Sequence, residues 1–149
     1  RFVQNAIFHT DDSSVVKTSS NDARSSALSS GTVEVLTNPI GGGVGSAGPA
    51  SFQSSGAVDI AENYFVQIGQ ETGWLGLGLF VTILFVVGKS LWQNRRSTLA
   101  LASFASLIGL LVVNMLSHAW ADDTLAFTWW GMAGIALASV QKENHAKTK

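Results

Sequence analysis

The sequence predicts an all-α chain: part of an integral membrane helical bundle, with about three transmembrane helices after an extracytoplasmic Ser/Gly-rich loop that carries short helices. Three observations predict this. Only 13% of the 149 residues are charged and 46% are hydrophobic, against about 25% charged in an average soluble domain. The charges of the second half are confined to short clusters, separated by three long uncharged runs. The clusters also alternate in sign.

The three runs read GWLGLGLFVTILFVVG, STLALASFASLIGLLVVNMLSHAWA and TLAFTWWGMAGIALASVQ. Crossing the hydrocarbon core takes roughly 20 mostly apolar residues. With flanking residues the runs give spans at about 72–90, 98–118 and 124–141. Buried helices of a soluble protein are the competing reading, and three such runs in one half of a small chain weigh against it. Trp74, Trp92, Trp120, Trp129 and Trp130 fall at or near the span ends, which suits interfacial belts, with a deeper position the alternative for Trp129 and Trp130.

Lys89, Arg95 and Arg96 follow the first run without an acid, and Asp122 and Asp123 follow the second without a base. Lys142, Lys147 and Lys149 follow the third against one Glu143. The positive-inside rule therefore places the 89–97 loop and the C-terminus in the cytoplasm. Residues 1–72 and the 118–123 turn fall on the outer face of the cytoplasmic (inner) membrane. No basic start followed by an apolar run and a cleavage site is visible. The chain is accordingly expected to be the C-terminal part of a larger multi-span protein.

Composition excludes several functions. The formal net charge of −1 gives no drive toward nucleic acid. Without Cys there is no disulfide framework, thiolate metal site or cysteine nucleophile. No cofactor is expected.

In the outer segment, residues 13–30 hold eight Ser and read as a solvated loop. Asn21 or Asp22 is a candidate cap for a short helix to about Leu36, with Ala23, Ala27 and Leu28 on one side; TVEVL at 32–36 also suits a strand. Asn38-Pro39 ends that element. Gly43, Gly45 and Gly48 match G-x-G-x-x-G, but Pro49 and the lack of a βαβ context exclude a dinucleotide fold. The stretch is either a connector or a backbone nest for an anionic oxygen. Asp59 with Glu62 three residues later resembles a capping box, and Gly73 and Gly76 break or bend the path into the first span.

Asn38-Pro39-Ile40-Gly41, the glycine stretch, Glu62-Asn63 and Gly73-Trp74-Leu75-Gly76 stand in an order that resembles the O-antigen ligase/polymerase superfamily of envelope glycosyltransferases. The family signature is His, then Asn, Ser or Gln, nine residues, and Gly-x-x-Gly. Here Asn63, the nine residues 64–72 and Gly73-Trp74-Leu75-Gly76 meet the spacing, and Glu62 stands in place of His. The resemblance covers about residues 38–90. It implies transfer of a glycan from a polyprenyl-diphosphate carrier to a glycan or lipid hydroxyl, with membrane lipids as surroundings. It implies Glu62 as the base that accepts the acceptor's proton. Asn63, Gly43 and Gly45 become candidate substrate contacts. Arg24, without a motif match, lies in the compartment where cations would meet the diphosphate.

His118, Asp122 and Asp123 form H-x-x-x-D-D on the outer turn. An interfacial loop lining the substrate cavity is preferred there to a metal site, and no metal is expected. His9, Asp11 and Asp12 form a second such cluster, read as solvated loop. Asn114, inside the second span, should face other helices. The competing functional class is a non-catalytic membrane component such as a transporter or flippase of the same glycan pathway. A membrane-anchored adhesin ranks last.

Overall fold

The computed structural model describes residues 20–53 and 61–147. These form four α-helices and two short 3-10 turns, with no strand among the described residues. The helices are α1 (Ser20–Thr37), α2 (Tyr64–Gln93), α3 (Thr98–Leu116) and α4 (Asp123–Lys147). The 3-10 turns are Gly48–Gln53 and Ala119–Ala121. His9, Asp11, Asp12 and Asp59 lie outside the described residues.

Residues 32–36 are helical, not extended, and α1 stops one residue before Asn38-Pro39. Its packed stripe is Ala27, Gly31 and Val35, four residues apart; Ala23 and Leu28 are exposed. This corrects the expected face. Gly31 is the reason: a Cβ there would come within 2.9 Å of Val66 Cγ1 and 3.1 Å of Ala61 Cβ. The exchange is reciprocal, because Val35 lies against Gly69, where a Cβ would meet it at 2.9 Å.

The helix α2 is broken at Gly73, whose φ of 69° and ψ of −166° are not helical. The break is a reversal. In an unbroken helix Tyr64 and Phe80 would stand about 24 Å apart along the axis. Their ring centroids are 5.9 Å apart, and Phe65 and Phe80 are 6.1 Å apart. Residues 64–72 therefore double back along residues 74–80, forming a helical hairpin with Gly73 at its tip. A Cβ at Gly73 would collide with the Pro39 carbonyl, and its positive φ disfavours any other residue.

Residues 74–93 continue as a long apolar helix antiparallel to α3, with Gly88 against Leu107 and Trp92 against Phe104. The core comprises Leu84, Leu91, Ala100, Leu107, Trp120, Trp129, Ala133 and Ala136. Two helices, α2 and α3, are long and apolar enough to cross a membrane. Only 17% and 22% of their apolar windows are buried, so Leu79, Ile83, Phe85, Ile108 and Val112 point outward. Such faces are costly in water and cost nothing against lipid tails. Among the described residues these are the two such helices; α4 carries Thr124, Thr128, two Trp and Gly131 in its first half. Trp120 and Trp129 are buried in an aromatic cluster with Trp130, which corrects the expected place of Trp120 in an interfacial belt and takes the deeper alternative for Trp129.

Candidate site at the hairpin and the α3–α4 turn

The local geometry starts from the break at Gly73. A reversed helix leaves carbonyls without their i+4 amides. The glycine stretch satisfies them: Gly42 N–H donates to Gln70 O (2.7 Å) and Gly43 N–H to Glu71 O (2.9 Å). In return Trp74 N–H donates to Pro39 O (3.0 Å), and Trp74 Nε1 donates to Val35 O (2.6 Å). Gly41, with φ 81°, passes so near that a Cβ would lie 2.6 Å from Glu71 O. NPIGGG and GWLG are thus one hydrogen-bonded unit. The Gly43 amide is engaged by the helix. Gly45 (φ 82°) lies within the neighbouring turn closed by Ser46 N–H to Gly43 O.

The nine residues after Asn63 form the short arm of the hairpin. Asn63 is the N-cap: its Oδ1 accepts from Phe65 N–H (3.0 Å) and Val66 N–H (3.1 Å). Its Nδ2 donates to Met115 O in the last turn of α3 (3.2 Å). The helix therefore starts four residues later than a capping box at Asp59 would place it, and Glu62 precedes the cap. Asn63 thus does two structural tasks at once, capping the short arm and tying it to α3.

Arg24 Nη2 lies 2.6 Å from Glu62 Oε2. The two side chains are 61% and 42% exposed, so the pair contributes about 0–1 kcal/mol to stability. It is accessible to a ligand and holds the carboxylate in one place. Gln70 Nε2 to Glu34 Oε2 (2.6 Å) also ties α1 to the arm.

The fold-back brings this pair toward the α3–α4 turn. The Tyr64 ring packs edge-on against Trp120, at 6.3 Å between centroids. Trp120 is held by Asn114, fully buried in α3, whose Oδ1 accepts Trp120 N–H (3.0 Å). The polar residue inside the second run thus organises the turn. Asp122 is occupied as the cap of α4, accepting Leu125 N–H (3.0 Å). Asp123 is exposed in the first turn of α4. His118 is half-buried, and its Nε2 has no hydrogen-bond partner among the described residues. Among those residues no group of three or more His, Cys, Asp or Glu can hold a metal ion.

Sequence reasoning missed Trp120 and Asn114 as organisers of this corner. The available signal was a buried-type amide one helical turn before an S-H-A-W turn. No protein-family model, curated protein or solved structure matches the chain.

Proposed function

We propose that this chain supplies about three spans of a larger multi-span inner-membrane glycosyltransferase that transfers or polymerises a polyprenyl-diphosphate-linked oligosaccharide onto a glycan or lipid hydroxyl. In this reading α4 is the third span, residues 1–72 and the α3–α4 turn are extracytoplasmic, and the C-terminus is cytoplasmic. The observation that carries it is the exposed Arg24–Glu62 pair, set by the Asn63–Met115 contact at the end of an apolar helix. A diphosphate anchored by a polyprenyl chain would lie at that level, where a helix long enough to cross the bilayer ends.

The chemistry needs a proton acceptor, a cation and alignment. In the resting arrangement Arg24 holds Glu62. An arriving diphosphate competes for the same guanidinium and releases the carboxylate toward the acceptor hydroxyl. The acceptor oxygen then bonds to the anomeric carbon, and the bond from that carbon to the phosphate oxygen breaks. The proton passes to Glu62, and polyprenyl diphosphate leaves with its charge partly met by Arg24. The Gly43 amide serves the hairpin in this scheme, not the phosphate. His118 and Asp123 stand on the same corner as candidate glycan contacts.

Replacing Glu62 by Gln in the intact protein and measuring surface polysaccharide in cells tests the reading. Loss of chain extension or attachment at normal protein abundance is expected. Normal polysaccharide at normal abundance would refute it.

A further inference from the structure

An apolar groove of about 610 Å³ runs along α2 and α3, from Phe65 in the short arm of the hairpin to Trp92. Its walls include Leu84, Phe85, Leu107 and Ile108. Gly88 forms part of it and lets the two helices approach, since a Cβ there would meet Leu107 at 3.1 Å. One end is different in kind. Lys89 is the only charged residue of the lining, and it stands beside Trp92 and Phe104, whose rings lie 5.1 Å apart.

Arg95 extends this positive end. Its guanidinium lies 4.7 Å from the Trp92 ring centroid, and its Nη1 donates to Trp92 O (3.1 Å). Arg96 follows, and no acid occurs between Lys89 and Ser97. The groove therefore joins about 16 Å of apolar wall, from Val81 to Trp92, to a basic mouth with an aromatic ring.

We propose that this groove binds an acyl chain of an anionic glycerophospholipid, with its phosphate at Lys89 and Arg95. Charge complementarity chooses the occupant. A second apolar helix would fill the walls but gain nothing from the cations, whereas basic pockets between transmembrane helices on the cytoplasmic side suit acidic headgroups. The basic mouth is at the end of α2 remote from Glu62, so a phosphate held there is separate from a diphosphate at the Arg24–Glu62 corner. The proposal rests on the membrane reading but not on catalysis.

The test uses the intact protein in vesicles made from phosphatidylcholine with either dibrominated phosphatidylglycerol or dibrominated phosphatidylcholine at equal fraction. The readout is quenching of the Trp92 emission, obtained as the difference between the wild-type chain and Trp92→Phe. Phosphatidylglycerol is expected to quench with about fivefold preference, the effect of one basic side chain near a charged headgroup. Lys89→Gln is expected to reduce that preference while helical circular dichroism is unchanged. The wild-type comparison stands alone if that variant does not fold. Equal quenching by both lipids overturns the proposal, and so does absence of quenching by either, which would mean that another helix fills the groove. Failure of the chain to enter vesicles at all would instead overturn the membrane reading.

Discussion

Tyr64 and Phe80, sixteen positions apart in one nominal helix, pack edge-on with ring centroids 5.9 Å apart. That contact defines the hairpin, and the hairpin determines where Glu62 stands. Unfolded into a straight helix, the arm would carry Glu62 about 16 Å beyond Gly73. Folded back, it brings Asn63 into contact with Met115.

The hinge should be intolerant of any side chain. Gly73→Ala adds a Cβ against the Pro39 carbonyl at a positive φ. A loss of at least about 2 kcal/mol is expected from backbone strain alone, read as a shifted midpoint in denaturant unfolding. Gly78→Ala is the control: a Cβ there meets nothing within 4 Å, so a change of no more than about 0.5 kcal/mol is expected.

Asn63 separates two tasks. Asn63→Ala removes the acceptor for two amides and the donor to Met115, at a cost of about 1–2 kcal/mol. Asn63→Asp retains the acceptor and loses the donor, so its cost should be smaller. Amide exchange checks the division: Phe65 and Val66 should lose protection in the Ala variant and retain most of it in the Asp variant.

Much of the fold was legible, for identifiable reasons. The run at 98–118 was readable because one apolar helix needs only local composition, and α3 spans Thr98–Leu116. The first helix was readable from its local Pro stop, but it starts at Ser20, so Asn21 and Asp22 lie inside its first turn and are not its cap. Gly73 was readable as a break, but the direction of the turn was not. That direction depends on Gly42 and Gly43 amides donating to Gln70 and Glu71 carbonyls, a pairing about thirty residues apart in the chain. The cap was misplaced because Asp59 and Asn63 are both good caps, and only the long-range partner Met115 distinguishes them. The nine-residue spacing was visible as a pattern; its physical content, the length of the short arm, was not. Glu62 and Arg24 were singled out separately, and nothing local showed that they pair.

Trp74 should matter through one hydrogen bond. Trp74→Phe deletes the donor to Val35 O but keeps an aromatic ring. A loss of about 1 kcal/mol is expected, together with faster proteolysis of α1, since that bond ties its last turn to the hairpin.

The Arg24–Glu62 pair should matter for activity much more than for stability. With both groups exposed, Arg24→Ala is expected to change unfolding free energy by no more than about 1 kcal/mol. In the intact protein the same substitution should weaken use of the lipid-linked donor. Arg24→Lys, which keeps the charge without the planar fork, should recover part of it. Donor-concentration dependence of turnover checks this.

The central claim is that Glu62 accepts the proton of an acceptor hydroxyl. The most direct measurement is release of polyprenyl diphosphate from a lipid-linked oligosaccharide by the intact protein in vesicles, wild type against Glu62→Gln. The account expects the rate to fall by at least about 100-fold, the usual contribution of a positioned base, with unfolding behaviour unchanged. An unaltered rate in a folded Glu62→Gln protein, or no release by the wild type, would contradict it.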